Sequence, residues 1–253
     1  VKLDKKRCEI YWLGLVDYDA AWVLQNQIAD EIHWGQRPAT LLLLEHPHVF
    51  TIGRRGSRAH ILWDEAECTR RGIILREVDR GGDVTYHGPG QLVGYPILPL
   101  AQPDWEGERL PQADFVGYLR KLEELLIRLL DAYGISAYRR EGLTGVWVNL
   151  PHSSPPGQPA KIASIGVKVD RFGISRHGFA LNVAPQMEYW NGIIPCGLEG
   201  VRMTSMAELL PAPPSMPTLA VQTAHLFCAV FEFEPAPLYE GLNLLNSEIR
   251  SLL

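Results

Sequence analysis

The chain is expected to fold as α+β, a mixed β-sheet with flanking helices, on three grounds. Segments with strand character crowd the middle, segments with helical periodicity lie toward both ends, and strand and helix never alternate regularly as in a doubly wound fold. With 253 residues, 46% of them hydrophobic and 21% charged, the chain can bury roughly 70–75% of its unfolded surface, which suits one large domain or two tight ones. Disordered and fibrous architectures are excluded by that balance.

Residues 8–15 (CEIYWLGL) read as a strand. Asp17 is placed to cap a helix that runs to about Gly35, with Ala21, Gln25, Ile28 and Ile32 on one packing face. ATLLLLE at 39–45 is a buried-strand pattern, and HPHVFTIG leads from it into a Gly/Arg turn. A short helix over 64–71 stops at Gly72, and IILREVD at 73–79 is a strand. After a glycine-rich segment, 91–100 forms another strand, and the proline-bearing stretch 101–111 is a linker or flap. Phe115, Leu119, Leu122, Leu126, Leu129 and Tyr133 then mark the core face of a long helix, with Gly134 at its end. Strands are expected at 135–139, 145–149, 161–170 and 174–183, the last two as a hairpin across Asp-Arg-Phe-Gly, with a polar, proline-rich loop at 150–160. Ser205 and Glu208 have capping-box spacing, 211–217 is a linker, and helices near 218–231 and 240–252 close the chain.

Lys and Arg number 24 against 29 Asp and Glu, a formal charge of −5, so no general nucleic-acid binding is expected. Arg54, Arg55 and Arg58, and Arg139 with Arg140, are local basic clusters that serve either as solvated faces or as docking patches. The longest aliphatic run, Leu41 to Leu44, is far too short for a membrane helix, and no signal peptide is read. Cys8, Cys68, Cys196 and Cys228 form no CxxC pair, and His33, His46, His48 and His177 show no ligand spacing, so neither disulfides nor a metal site are expected. A reducing cytoplasm is the expected compartment.

The densest chemical signal is RGGDVTYHGPGQ at 80–91, four glycines in twelve residues with Arg80, Thr85, His87 and Gln91 between them. Such a segment is either a cradle in which backbone approaches a ligand or simply a turn. It fits neither the P-loop nor the dinucleotide fingerprint. Pro195-Cys196-Gly197 is a tight turn that is either structural or the seat of an accessible thiol, and Lys161 heads a strand as an exposed lysine or as a functional one.

RGGDVTYHGPGQLVGYPI at 80–97 resembles the signature of the lipoyl (octanoyl) transferases. EHPHVFTIGRRG at 45–56, EGLTGVWV at 141–148, KIASIG at 161–166, HGFALN at 177–182 and IIPCGL at 193–198 agree in order and spacing. The resemblance spans about residues 8–210, leaving out the loop 150–160 and the tail after 211; a catalytic domain is expected over 1–210, with 211–253 a C-terminal linker and helical extension packed on it. The resemblance implies the fold of biotin and lipoate protein ligases, no metal and no ATP. The implied reaction moves an octanoyl or lipoyl group from acyl carrier protein to the lysine of lipoyl domains, those of 2-oxoacid dehydrogenase complexes and of the glycine-cleavage H protein.

By the same match, Cys196 is the acyl-thioester nucleophile and Lys161 its partner. A covalent thioester splits the transfer into two easier steps, and an ammonium beside a thiol favours the nucleophilic thiolate. The acyl pocket would be lined by Arg80, Gly81, Gly82, Asp83, Val84, Thr85, Tyr86 and His87, by Ser164, Ile165 and Gly166, and by Gly178, Phe179 and Ala180. Phe179 stands where several members carry leucine, and its larger ring is expected to shorten or reshape the pocket. Backbone N–H groups near Gly82, Ser164 or Gly197 would hold the oxyanion. His87 is either a loop-ordering group or a base competing with Lys161, the ordering role being preferred. The basic cluster Arg54, Arg55 and Arg58 would greet an acidic carrier. An ATP-using ligase, a cysteine acyl hydrolase and a non-catalytic scaffold are the competing readings.

Overall fold

The aliphatic and alternating runs pair into two sheets. In the computed structural model, which describes residues 7–100, 114–151, 153 and 155–241, the chain runs β1 (Cys8–Leu15), α1 (Tyr18–His33), β2 (Ala39–Glu45), β3 (Val49–Ile52), α2 (Glu65–Arg70), β4 (Ile74–Glu77), β5 (Val84–His87) and β6 (Gln91–Ile97). It continues through α3 (Phe115–Asp131), β7 (Ala137–Arg140), β8 (Leu143–Leu150), β9 (Gln158–Val169), β10 (Ser175–Asn182), β11 (Arg202–Met203), α4 (Met206–Leu209), α5 (Met216–Phe231) and β12 (Leu238–Glu240). The large sheet has the order β12-β1-β2-β6-β10-β9-β8-β7, with β11 on β9, and the small one is β4-β3-β5. β1 lies parallel to β2 and β12, while β2–β6–β10–β9–β8–β7 is antiparallel, so the sheet is mixed as expected.

The large sheet has two covered faces. α3 and α5 bury Leu122, Leu126, Leu129, Leu219 and Phe227 against Leu41, Leu43, Ile162 and Leu181 on one side. α1 seals the other with Leu24 and Ile28 against Leu42, Leu44 and Tyr95. Strand alternation divides β2 between the two clusters, which is why its run of leucines is continuous. The small sheet builds a third cluster of Phe50, Val84, Tyr86, Tyr189 and Trp190. Asp17 caps α1 by accepting from the N–H groups of Asp19 and Ala20.

Several expectations change. Residues 84–87 are a strand of the small sheet rather than loop, because Val84 to His87 pair with β3. The capping box does not form: Glu208 instead accepts from the Thr204 hydroxyl at 2.7 Å, and Ser205 Oγ has no partner among the described residues. The 150–160 loop is shorter, since β8 reaches Leu150 and β9 starts at Gln158. Glu240 ends a strand where a helix was expected to begin; the rest of that helix, like the 101–111 linker, lies outside the described residues. Among the described residues no helix is long and apolar enough to cross a membrane.

Candidate active site

The site lies between the small sheet and the face of the large sheet that carries α1. On β9, Ala160, Ile162, Ala163 and Ile165 belong to the helix-side core. A register shift against β8, where Trp147 opposes Lys161 but Val146 opposes Ala163, inserts one extra residue. That bulge turns both Lys161 and Ser164 away from the helices, toward the same side. Lys161 is 3% exposed, with its ammonium 5.7 Å from the Trp147 ring centre. Gly145, at φ +120°, makes room for it: a Cβ there would sit 2.6 Å from Lys161 Cε and 2.6 Å from the Ala163 carbonyl oxygen.

Cys196 occupies the middle of a single 3-10 turn, Pro195–Gly197, with a left-handed backbone (φ 57°, ψ 19°). Such a conformation costs a non-glycine residue about 1–2 kcal/mol and persists only where surroundings impose it. The surroundings are visible: the Asp83 carboxylate fills the space a Cβ on Gly197 would need, and the Ile194 N–H is bonded to the His60 carbonyl at 2.8 Å. The turn brings Cys196 Sγ to 3.3 Å from Lys161 Nζ. Cys8, Cys68 and Cys228 are buried, whereas Cys196 is half-buried. Burial pushes all three buried thiols up, away from the thiolate.

One cavity is lined by Arg80–Thr85, His87, Ser164–Gly166, Gly178–Ala180 and Cys196. Tyr86 is a correction. Alternation along β5 sends its side chain into the third cluster, stacked on Tyr189 and bonded to His48 Nδ1 at 3.0 Å. Phe179 lines the cavity as expected, but the expectation that its ring shortens the pocket is corrected, because the ring packs in the helix-side core. Arg80, 7% exposed, grips Thr51 through its carbonyl at 2.8 Å and hydroxyl at 2.7 Å. Among the described residues it has no carboxylate partner. Burial pulls the Arg80 pKa down.

His87 Nδ1 donates to Gln91 Oε1 at 2.7 Å. The Gln91 amide donates to the Tyr86 carbonyl and to Asn182 Oδ1, and Asn182 donates to the Thr204 carbonyl. Thr204 N–H closes the chain on the Lys161 carbonyl at 3.0 Å. Burial holds His87 well below the ordinary histidine range, and nearby His46 adds to that, so it is neutral. Sequence reading missed Tyr18, Tyr95 and His177 on the cavity wall, and His60, whose Nδ1 lies 2.7 Å from Asp83 Oδ2. His177 lies inside the HGFALN block; Tyr18 and Tyr95 carry no signal beyond being aromatic in packed elements. Of the basic clusters, Arg58 pairs with Glu77 at 2.8 Å and Arg139 with Glu123 and Glu124. Arg54 and Arg55 are exposed beside the glycine segment.

Two solved structures share this architecture. A bipartite lipoate protein ligase from Thermoplasma acidophilum superposes with TM-score 0.71 at 15% identity, covering 98% of this chain and 90% of that one. A lipoate-protein ligase A bound with ATP gives 0.70 at 14% identity, over 97% and 92%. Residues 17–227 match the lipoyl protein ligase A/B catalytic domain, and the chain belongs to that family. Within it, the octanoyltransferase of Chloroflexus aggregans is 43% identical over 226 residues, 89% of this chain and 96% of that protein. The octanoyltransferase of Solibacter usitatus is 42% identical over 232 residues, covering 92% and 96%.

Proposed function

We propose that the chain transfers octanoyl groups to proteins in lipoylation through a thioester on Cys196. The observation that carries this reading is the 3.3 Å approach of Lys161 Nζ to Cys196 Sγ at a cavity walled by glycines, Ala180 and Ser164. In the first half-reaction Cys196 Sγ attacks the carbonyl carbon of the donor thioester, the bond to the donor sulfur breaks, and that sulfur leaves with the proton held by Lys161. In the second, the acceptor amine attacks the enzyme thioester, Cys196 leaves as thiolate, and the now neutral Lys161 takes the proton of the amine. The cycle returns both residues to their starting states.

The surroundings suit the charge that develops. Arg80 supplies a buried positive charge, and Thr85 Oγ1 and Ser164 Oγ, both on the cavity wall, are buried without partners among the described residues, free to donate to the oxyanion. Acyl methylenes in the cavity contribute up to about 0.8 kcal/mol each. The donor is octanoyl-acyl carrier protein, and the acceptors are lipoyl domains of 2-oxoacid dehydrogenase complexes and the glycine-cleavage H protein. Intact mass spectrometry after mixing with octanoyl-acyl carrier protein tests the scheme. A hydroxylamine-labile octanoyl adduct, absent in Cys196→Ala and discharged onto an added lipoyl domain, is expected. Modification that appears only with ATP and free octanoate would replace the scheme with ligase chemistry.

A further inference from the structure

His177 stands apart from the chemistry at Cys196. It is 2% exposed, adopts a left-handed backbone at φ 56°, and places Nε2 2.7 Å from Asp79 Oδ1. Asp79 is ion-paired in turn with Lys168. A carboxylate only accepts, so Nε2 bears the imidazole proton and Nδ1 is a bare acceptor. Nδ1 is buried and has no partner among the described residues, although His177 lines the cavity. An unsatisfied buried acceptor costs about 1–3 kcal/mol, and left-handed backbone in a strand adds to that. Burial also lowers the His177 pKa, which keeps the ring neutral.

The β9–β10 ladder locates this acceptor. His177 opposes Val167, and Ala180 opposes Ser164, so six residues of β9 separate the level of His177 from Lys161, roughly 15–20 Å at strand rise. The Gly81 N–H, bonded to the Val167 carbonyl at 2.9 Å, marks the same end. An acyl chain joined to Cys196 and lying in this cavity therefore points its far end toward His177. We propose that Asp79 and His177 form a hydrogen-bond-accepting subsite for acyl chains that carry a hydroxyl near the ω end. The inference rests on the acyl-transfer reading of the cavity and extends its substrate class from plain to hydroxylated chains.

Binding to the full chain carrying Cys196→Ala, in which no thioester is consumed, tests it by titration calorimetry. Three S-acyl pantetheines are compared: octanoyl, one with a hydroxyl near the ω end, and the ketone at the same carbon. The hydroxyl form is expected to bind about tenfold more tightly than the ketone, which cannot donate. Added Asp79→Ala removes the acceptor that fixes the proton on Nε2, so Nδ1 is no longer held as a bare acceptor and the preference for the hydroxyl form should fall away. If that variant does not fold, His177→Asn, which tolerates the left-handed backbone, should also abolish the preference. Equal binding of hydroxyl and ketone forms before these changes, or a tenfold preference that survives either one, overturns the subsite. If octanoyl binds without discrimination, the subsite alone fails; if none of the three binds, the acyl-cavity reading fails with it.

Discussion

Replacing Gly145 with alanine isolates the packing that delivers Lys161. Two penalties combine at this position. The backbone at φ +120° disfavours any side chain, and the new Cβ would overlap Lys161 Cε and the Ala163 carbonyl oxygen, each 2.6 Å away. Strain contributes about 1–3 kcal/mol and forced overpacking against backbone a similar amount, so a loss of about 3 kcal/mol is expected. Gly142, three residues earlier, is the internal control: it has φ +73° but nothing within 4 Å of its Cβ position. Gly142→Ala should therefore lose only about 1 kcal/mol, from backbone strain. Urea unfolding of both variants reads the difference directly. Because displacing a catalytic group by about 1 Å costs roughly a hundredfold in rate, Gly145→Ala should also lose about that much octanoyl transfer, while Gly142→Ala keeps its rate. If the two variants matched in stability and activity, the account of how β8 positions Lys161 would be wrong.

Further outcomes follow from the same geometry. Burial depresses His46 from its usual range to about 4; the unfolded chain therefore binds the extra proton first. Its stability contribution is whole above about pH 6.5 and is lost as pH falls toward 4, by about 1 kcal/mol per pH unit, a slope that His46→Gln should flatten in urea titrations across that window. Tyr86→Phe removes the hydroxyl bonded to His48 and should cost about 1 kcal/mol without changing the KM for the acyl donor; a raised KM would return Tyr86 to the pocket. Arg54→Glu with Arg55→Glu should raise the KM for acyl carrier protein and reduce its salt dependence, whereas Arg58→Glu should do less because Arg58 is already paired with Glu77. Identical effects from all three arginines would argue against docking at 54–55.

Local chemistry made much of the fold legible. The leucine run of β2, the stripe of α3 and the Asp-Arg-Phe-Gly hairpin follow from periodicity and turn residues. β11, β12 and the strand at 84–87 were hidden, because short strands within glycine-rich or polar stretches are defined by partners distant in sequence rather than by their own pattern. The capping box failed for a similar reason: a nearby threonine hydroxyl captured Glu208.

The amino-acid order by itself marked the residues proposed to carry the chemistry, since the thiol, the lysine and the glycine segment stand in recognisable blocks. It also determined the mixed α+β class, because apolar spacing is a property of the chain. Only the tertiary structure decided which of those side chains face the cavity. Thirty-five positions separate Lys161 from Cys196, and a single-residue bulge, a left-handed turn and the missing Cβ of Gly145 close that interval to 3.3 Å. Alternation turned Tyr86 and the Phe179 ring away, whereas His177, on the Phe179 face by strict alternation, lines the cavity with a left-handed backbone at φ 56° that breaks that alternation. The physical reason is that side-chain direction depends on register and backbone conformation, and both are set by contacts between strands far apart in the chain.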